Sequence, residues 1–153
     1  MISTRVLPQR MRWWHIDEIM AIEADLFGEE QWSPGMFWSE LANGHHYLVV
    51  LDDAGAVAAY GGLAVTPPEE AWIQNIAVRR DAQRTGIGRA LMDALLDRAR
   101  EARVDAVLLE VAVDNEPAQR LYDSYGFATI GVRKGYYQPS NTDALVMRKD
   151  FDT

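Results

Sequence analysis

The sequence predicts a single α/β domain over residues 1–153, built on a mixed sheet. Three observations carry this. Helical and strand-like hydrophobic patterns alternate, with turn signals between them. Two strand-like runs, Tyr47–Leu51 and Val57–Val65, flank the turn Asp53-Ala54-Gly55 and read as an antiparallel hairpin. A strand–helix–strand order across residues 71–112 implies a right-handed crossover, hence a parallel pair. No internal repeat, low-complexity tract or linker divides the chain.

In chain order, Thr4–Leu7 reads as a short first strand. Trp14–Phe27 carries Ile16, Ile19, Met20 and Leu26 at helical spacing. Ser33-Pro34 supplies an N-cap followed by a first-turn proline, so a second short helix runs through Leu41. The hairpin follows, and Pro67-Pro68 breaks the chain before a strand at Ala71–Val78. Ile87–Arg103 is the clearest helix: Ile87, Leu91, Leu95 and Ala99 share a stripe with Met92 and Leu96, while Arg89, Asp93, Asp97, Arg98 and Arg100 lie outside it. Asp105–Ala112 holds the run Ala-Val-Leu-Leu expected of a strand covered on both faces. Glu116–Tyr125 is a short helix ended by Gly126. Phe127–Arg133 and Ala144–Arg148 complete the strands.

Composition removes several chemistries. Apolar residues make up 48% of the chain, enough for a real core, and cysteine is absent. Disulfides, thiolate zinc sites and an acyl-Cys intermediate are therefore excluded. The histidines are His15, His45 and His46; no HExxH or Gly-x-Ser-x-Gly pattern exists, so no metal is expected. His15 reads as a helix-start residue and His45-His46 as a polar strand start. A formal net charge of −8 disfavours nucleic acid as a partner and suits a basic protein or peptide, or serves solubility alone. No apolar run reaches membrane-span length, and Met1–Arg12 lacks the apolar block of a signal peptide, so no membrane association and a cytoplasmic location are expected.

The chemistry gathers after the strand at residues 71–78. Gln83-Arg84-Thr85-Gly86-Ile87-Gly88-Arg89-Ala90 lies between a strand and a long helix. Its glycines permit tight turning, the first helical amides lack partners, and Arg84 and Arg89 add positive charge. The segment suits a phosphate-bearing ligand or is a glycine-rich helix start with none. It is no P-loop, lacking Gly-Lys-Ser/Thr, and no dinucleotide fingerprint, since Leu91 stands where a third glycine belongs. Glu110 ends an apolar run in the covered strand, on the face of Ala106 and Leu108. A carboxylate there is paired, hydrated or functional.

The loop matches the Gln/Arg-x-x-Gly-x-Gly/Ala signature of the GNAT acetyltransferase superfamily. Asn75-Ile76-Ala77-Val78, Leu109-Glu110-Val111, Asn115, Leu121-Tyr122-Asp123-Ser124-Tyr125-Gly126-Phe127, Gly135-Tyr136-Tyr137 and Asp143-Ala144-Leu145-Val146-Met147 follow in family order, with Trp32-Ser33-Pro34 near the front. From about Trp14 to Met147 the chain resembles the RimI-type ribosomal-protein alanine N-acetyltransferases. It departs from their shortest members at Gly28-Glu29-Glu30-Gln31, a longer and more acidic stretch where the family shapes the acceptor site.

The resemblance implies a GNAT fold: a mixed twisted sheet of about seven strands with a splayed parallel central pair, flanked by about four helices. It implies acetyl-CoA as cosubstrate and the α-amino group of a protein N-terminus as acceptor, in particular an alanine-starting, basic ribosomal protein. Alternatives are a small-molecule amine, an aminoacyl-tRNA, or a non-catalytic acetyl-CoA-binding module. The backbone of Ile76, Ala77 and Val78 is expected to meet the pantetheine arm, and Arg84, Thr85, Gly86, Ile87, Gly88 and Arg89 to cradle the pyrophosphate. Asn115 is expected to contact the cofactor arm; its other reading is a plain cap of the following helix, and both can hold. Glu110 matches the general base and Tyr122 the general acid, with core packing the other reading of Tyr122. Trp32, Tyr136 and Tyr137 match acceptor-binding positions; helix packing and cross-strand aromatic pairing explain them otherwise. Trp38 is read as a further lining residue of that groove, or as packing.

Overall fold

The strands assemble into one seven-stranded sheet, and its helices divide between the two faces. The computed structural model describes residues 7–66 and 69–151. The strands are β1 (Gln9–Arg10), β2 (His46–Leu51), β3 (Val57–Thr66), β4 (Glu70–Val78), β5 (Ala106–Ala112), β6 (Ala128–Tyr137) and β7 (Thr142–Asp150); the helices are α1 (Ile16–Phe27), α2 (Pro34–Ala42), α3 (Ile87–Glu101) and α4 (Glu116–Ser124). The sheet order is β1-β2-β3-β4-β5-β7-β6, with β4–β5 parallel and the other pairs antiparallel. The first strand expected at Thr4–Leu7 lies, apart from Leu7, outside the described residues, as does the Pro67-Pro68 break. Leu7 is not in a strand; the observed first strand is Gln9–Arg10, paired with Val49 and Leu48.

Each helix follows from its sequence. Ser33 caps α2, its Oγ accepting from the Met36 N–H at 3.3 Å ahead of Pro34. In α3 the residues Ile87, Leu91, Met92, Leu95, Leu96 and Ala99 are buried, and each large side chain contributes about 1.5–3 kcal/mol. They pack with Val107, Leu109, Val111, Tyr122 and Phe127, so α3 and α4 share one face of the sheet. On the other face Ile16, Ile19, Ile22 and Phe37 of α1 and α2 cover Tyr47, Val49, Val57, Tyr60 and Ala77. Strand alternation places Ala106 and Leu108 of β5 on this second side, with Val146.

The feature that positions the site is an opening in the middle of the sheet. β4 and β5 pair only through Glu70–Ala106, Ala71–Val107 and Trp72–Leu108. Beyond that point β4 stays with β3 and β5 stays with β7, so the neighbours diverge. The cause lies in β4. Its register against β3 shifts between Tyr60 and Gly62, opposite Asn75, which takes a positive φ of 51°. Such a bulge bends the strand that carries it. Gly61 makes room: a Cβ there would stand 3.2 Å from Cγ1 of Ile76.

Candidate active site

Beyond the last β4–β5 pair, the facing edges of the two strands carry several of the residues singled out in the sequence. Tyr60 pairs with Ala77, and the Arg79 N–H bonds the Ala58 carbonyl, so the peptide groups of Ala77 turn toward β3. Those of Ile76 and Val78 alternate away, toward the gap. The Val78 carbonyl accepts from Gln83 Nε2 at 3.0 Å, which ties the following loop back onto β4. The Val78 N–H is thereby directed into the opening.

The loop leads into α3 through Arg84, with φ 64°, and Gly86, with φ 88°. Gly86 occupies the N-cap without a side-chain cap hydrogen bond, so the first amides of α3 are not taken by a capping group. A Cβ on Gly86 would meet nothing within 4 Å; the glycine is needed for its backbone conformation. A Cβ on Gly88 would stand 3.7 Å from Val78 and 3.8 Å from Leu121, so the start of α3 runs close to β4 and α4. Thr85 and Arg84 are exposed; Thr85 Oγ1 bonds the Ala82 carbonyl. Arg89 is directed to α4: its Nη2 donates to Ser124 Oγ at 3.1 Å and its guanidinium lies over the Tyr125 ring. Asn115 caps α4, its Oδ1 accepting from Ala118 N–H at 3.3 Å.

Glu110 sits on β5 just past the divergence, opposite Val146 of β7. Its side chain is 17% exposed, and Arg133 Nε lies 3.5 Å from Oε2. That oxygen is buried and otherwise without a hydrogen-bond partner. An unfilled acceptor of this kind is suited to a relayed water or an incoming amine. Tyr122, on α4, is 5% exposed and packs edge-on against Phe127. Burial pushes its phenol upward, with the neighbouring Tyr137 adding to the effect. Tyr136 and Tyr137 meet at 83° with centroids 5.1 Å apart, and Arg133 lies over Tyr136. Burial raises both tyrosines, followed by the charge of Glu110; Tyr137 is pushed up to about 12. Glu110, Tyr122, Tyr136 and Tyr137 therefore form one electrostatic neighbourhood.

The hairpin that presents the paired tyrosines is held by Asp143, whose carboxylate accepts from Gly135 N–H at 2.8 Å and from Lys134 Nζ at 3.1 Å. The Gly135 bond, then Lys134, hold that carboxyl below its usual range. Between the turn of this hairpin and the segment that follows α1, a depression of about 310 Å³ is lined by Phe27, Glu29, Glu30, Pro139 and Ser140. Trp32 is half-buried against Phe37, and with Ser33, Met36, Glu40 and Gln74 it borders a second depression. Trp38 instead stacks on Trp13 at an exposed surface. His15 is buried, with Nδ1 accepting from Arg12 N–H, and His45 pairs with Glu40.

Two residues of this region escape the sequence reading. Arg133, the partner of Glu110, sits in an edge strand where an arginine reads as solvated. Glu23 is fully buried in α1, four residues after Ile19 on the apolar stripe, and that position was its signal. Among the described residues, no group of three or more His, Cys, Asp or Glu gathers as a metal site, and no helix is long and apolar enough to cross a membrane.

Comparison with known proteins places this geometry. The acetyltransferase (GNAT) family model matches residues 9–127. The chain is 42% identical over 133 residues to the N-alpha-acetyltransferase RimI of Mycobacterium tuberculosis, spanning 84% of this chain and 82% of that protein. It is 38% identical over 119 residues to the ribosomal protein bS18-alanine N-acetyltransferase of Escherichia coli K12, spanning 76% and 78%. The crystal structure of the ribosomal-protein-S18-alanine N-acetyltransferase from Escherichia coli superposes with a TM-score of 0.86 at 28% identity, covering 97% of this chain and 95% of that one.

Proposed function

Because this chain belongs to the acetyltransferase (GNAT) family, we propose that this N-acetyltransferase acetylates the α-amino group of a protein N-terminus, with an alanine-starting, basic ribosomal protein as its preferred acceptor. The observation that carries the reading is Glu110, a carboxylate at the point where β4 and β5 part whose buried Oε2 faces Arg133 Nε at 3.5 Å but makes no hydrogen bond.

The residues fit acetyl-CoA on their own chemistry. The uncapped amides entering α3, with open space beside Gly86, and the Val78 N–H turned into the gap are donors arranged for an anionic, amide-bearing ligand. When bound, acetyl-CoA supplies the acetyl thioester and a thiolate leaving group. Thr85, Gly86, Ile87 and Gly88 hold the diphosphate through backbone amides, with the exposed Arg84 adding charge. Arg89 supports α3 and α4 more than the ligand, given its bonds to Ser124 and Tyr125. Ile76 and Val78 meet the pantetheine arm through peptide groups not used by β3, Ala77 supports them from the ladder, and Asn115 offers its amide nitrogen while its oxygen caps α4.

The acceptor amine enters from the side of Glu110, between the Tyr136–Tyr137 hairpin and the segment carrying Trp32. Glu110 takes its proton, directly or through a water at Oε2. The task is small for an α-amine: with pKa roughly 7.7–8 against about 10.4 for lysine, neutralisation at pH 7.4 costs about 0.5 rather than about 4 kcal/mol. The neutral amine then attacks the thioester carbonyl directly, the Val78 N–H donating to the carbonyl oxygen as it gains charge. Collapse breaks the C–S bond, the coenzyme A thiolate leaves, and the remaining amine proton passes to solvent or to that thiolate. Tyr122 faces the leaving sulfur from the α4 side. Its raised pKa makes full transfer to a thiolate of pKa ~8.5 uphill by more than about 2 kcal/mol, so it acts as a strong hydrogen-bond donor.

A mass-spectrometric screen of N-terminal peptides with acetyl-CoA tests the reading. Acetylation is expected on the α-amine of alanine-starting basic peptides, with lysine side chains and small amines left unmodified. Preferential acetylation of a small amine, or of lysine, contradicts it.

A further inference from the structure

Glu23 is 0% exposed and belongs to none of the elements assigned a step in the reaction. A carboxylate in such a place requires donors, and it has them. Oε1 accepts from the Trp32 N–H at 2.8 Å, and Oε2 accepts the hydroxyl hydrogen of Tyr60. The two donors belong to different elements, the segment before α2 and the strand β3. Trp32 follows the segment Gly28–Gln31, in which Gly28, Glu29 and Gln31 are exposed. That segment borders the depression facing the β6–β7 hairpin, and the charge of Glu30 reaches Tyr137. Tyr60 belongs to β3, pairs with Ala77 and stands beside the bulge at Asn75 that opens the sheet. The Asn75 Nδ2 is buried with no hydrogen-bond partner, while the Asn75 side chain lies close enough to favour the ionised form of Glu23.

We propose that Glu23 is a positioning residue that ties the acceptor-side segment Gly28–Ser33, with Trp32, to β3 where it pairs with the bulged strand β4 on the donor side. It sets the width of the acceptor entrance without touching either substrate. The inference rests on the reading above that Trp32 borders the acceptor path and β4 the donor cleft. A residue that merely stabilised the fold would impair both substrates and every element alike; a tie to one segment affects that segment and the acceptor.

The test uses Glu23→Leu, which keeps the bulk but accepts no bond, and Glu23→Gln, which keeps one acceptor oxygen. Hydrogen exchange over residues 28–33 is expected to accelerate by about tenfold or more in Glu23→Leu, with α3 unchanged. The acceptor-peptide KM is expected to rise about tenfold while the acetyl-CoA KM stays within about twofold, and Glu23→Gln is expected to recover most of both effects. If Glu23→Leu does not fold, Glu23→Gln and Tyr60→Phe carry the test. Each then raises acceptor KM about threefold, and the double variant is no worse than Glu23→Gln alone, because Tyr60 acts through Glu23. Unchanged exchange over 28–33, or equal shifts in both KM values, overturns the proposal. Should the parent protein acetylate no N-terminal peptide, the acceptor reading fails, and the exchange measurement still decides the role of Glu23.

Discussion

Replacing Glu110 with glutamine removes the proposed base and little else. Glutamine preserves the volume opposite Val146, and the half-exposed Arg133 keeps its solvent contacts, so the lost ion pair costs no more than about 1 kcal/mol of stability. The catalytic effect is bounded by the acceptor. An α-amine of pKa near 7.8 is already roughly 30% neutral at pH 7.4, so the base is worth the lower end of the general-base range, about 10²-fold. That equals about 2.7 kcal/mol in the barrier. Steady-state kinetics with an alanine-starting peptide should show kcat/KM falling by about this factor at pH 7, with the deficit shrinking several-fold toward pH 9 as the amine loses its proton unaided. Calorimetry should show acetyl-CoA affinity within about twofold, since Glu110 belongs to β5 and not to the loop entering α3. An unchanged rate, or equal losses of turnover and acetyl-CoA affinity, would refute the assignment of Glu110.

Tyr122→Phe removes one hydroxyl from a ring packed on Phe127; kcat should fall about 10- to 100-fold, the worth of a hydrogen bond to a charged group, with acetyl-CoA binding retained, and an unchanged kcat removes the role. Gly86→Ala meets no steric obstacle but must hold φ 88°, which costs roughly 1–2 kcal/mol. Calorimetry should show weaker acetyl-CoA binding and a melting point lower by about 2–8 °C, whereas normal values for both argue against the loop geometry. The fourth prediction concerns Glu23, whose pKa burial raises above 4.5. A raised pKa contributes stability while the group is protonated and loses it as pH rises through the folded value, so the stability of the parent protein relative to Glu23→Gln should decline from pH 4.5 upward. Urea unfolding at several pH values reads this directly, and a constant difference would show that Glu23 does not titrate differently in the folded state.

Legibility in the sequence followed physical strength of signal. Helix α3 begins at Ile87 as its stripe and glycines require, and α2 begins at Pro34 behind its Ser33 cap. The β2–β3 hairpin and the β4–α3–β5 crossover were equally plain, because periodicity and turn chemistry agree there. The final hairpin extends further than its pattern, from Ala128–Tyr137 to Thr142–Asp150, where irregular register and glycines 131 and 135 interrupt the alternation. The splay was expected only through the family resemblance. Its cause, a positive φ at Asn75, leaves no mark in hydrophobic periodicity. Among site residues, Glu110 was visible as a charge closing an apolar strand. Glu23 was concealed because a glutamate within a helix ordinarily faces solvent, and only its register with Ile16 and Ile19 marks it as buried.

The most direct measurement is a crystal structure of the protein with bound coenzyme A and an alanine-starting peptide. The diphosphate should rest on the amides of Gly86–Gly88, the sulfur should lie between β4 and β5 within hydrogen-bonding reach of Tyr122, and the peptide amine should approach Glu110 directly or through one water. Coenzyme A bound elsewhere, or Glu110 turned away from the amine, would contradict the account.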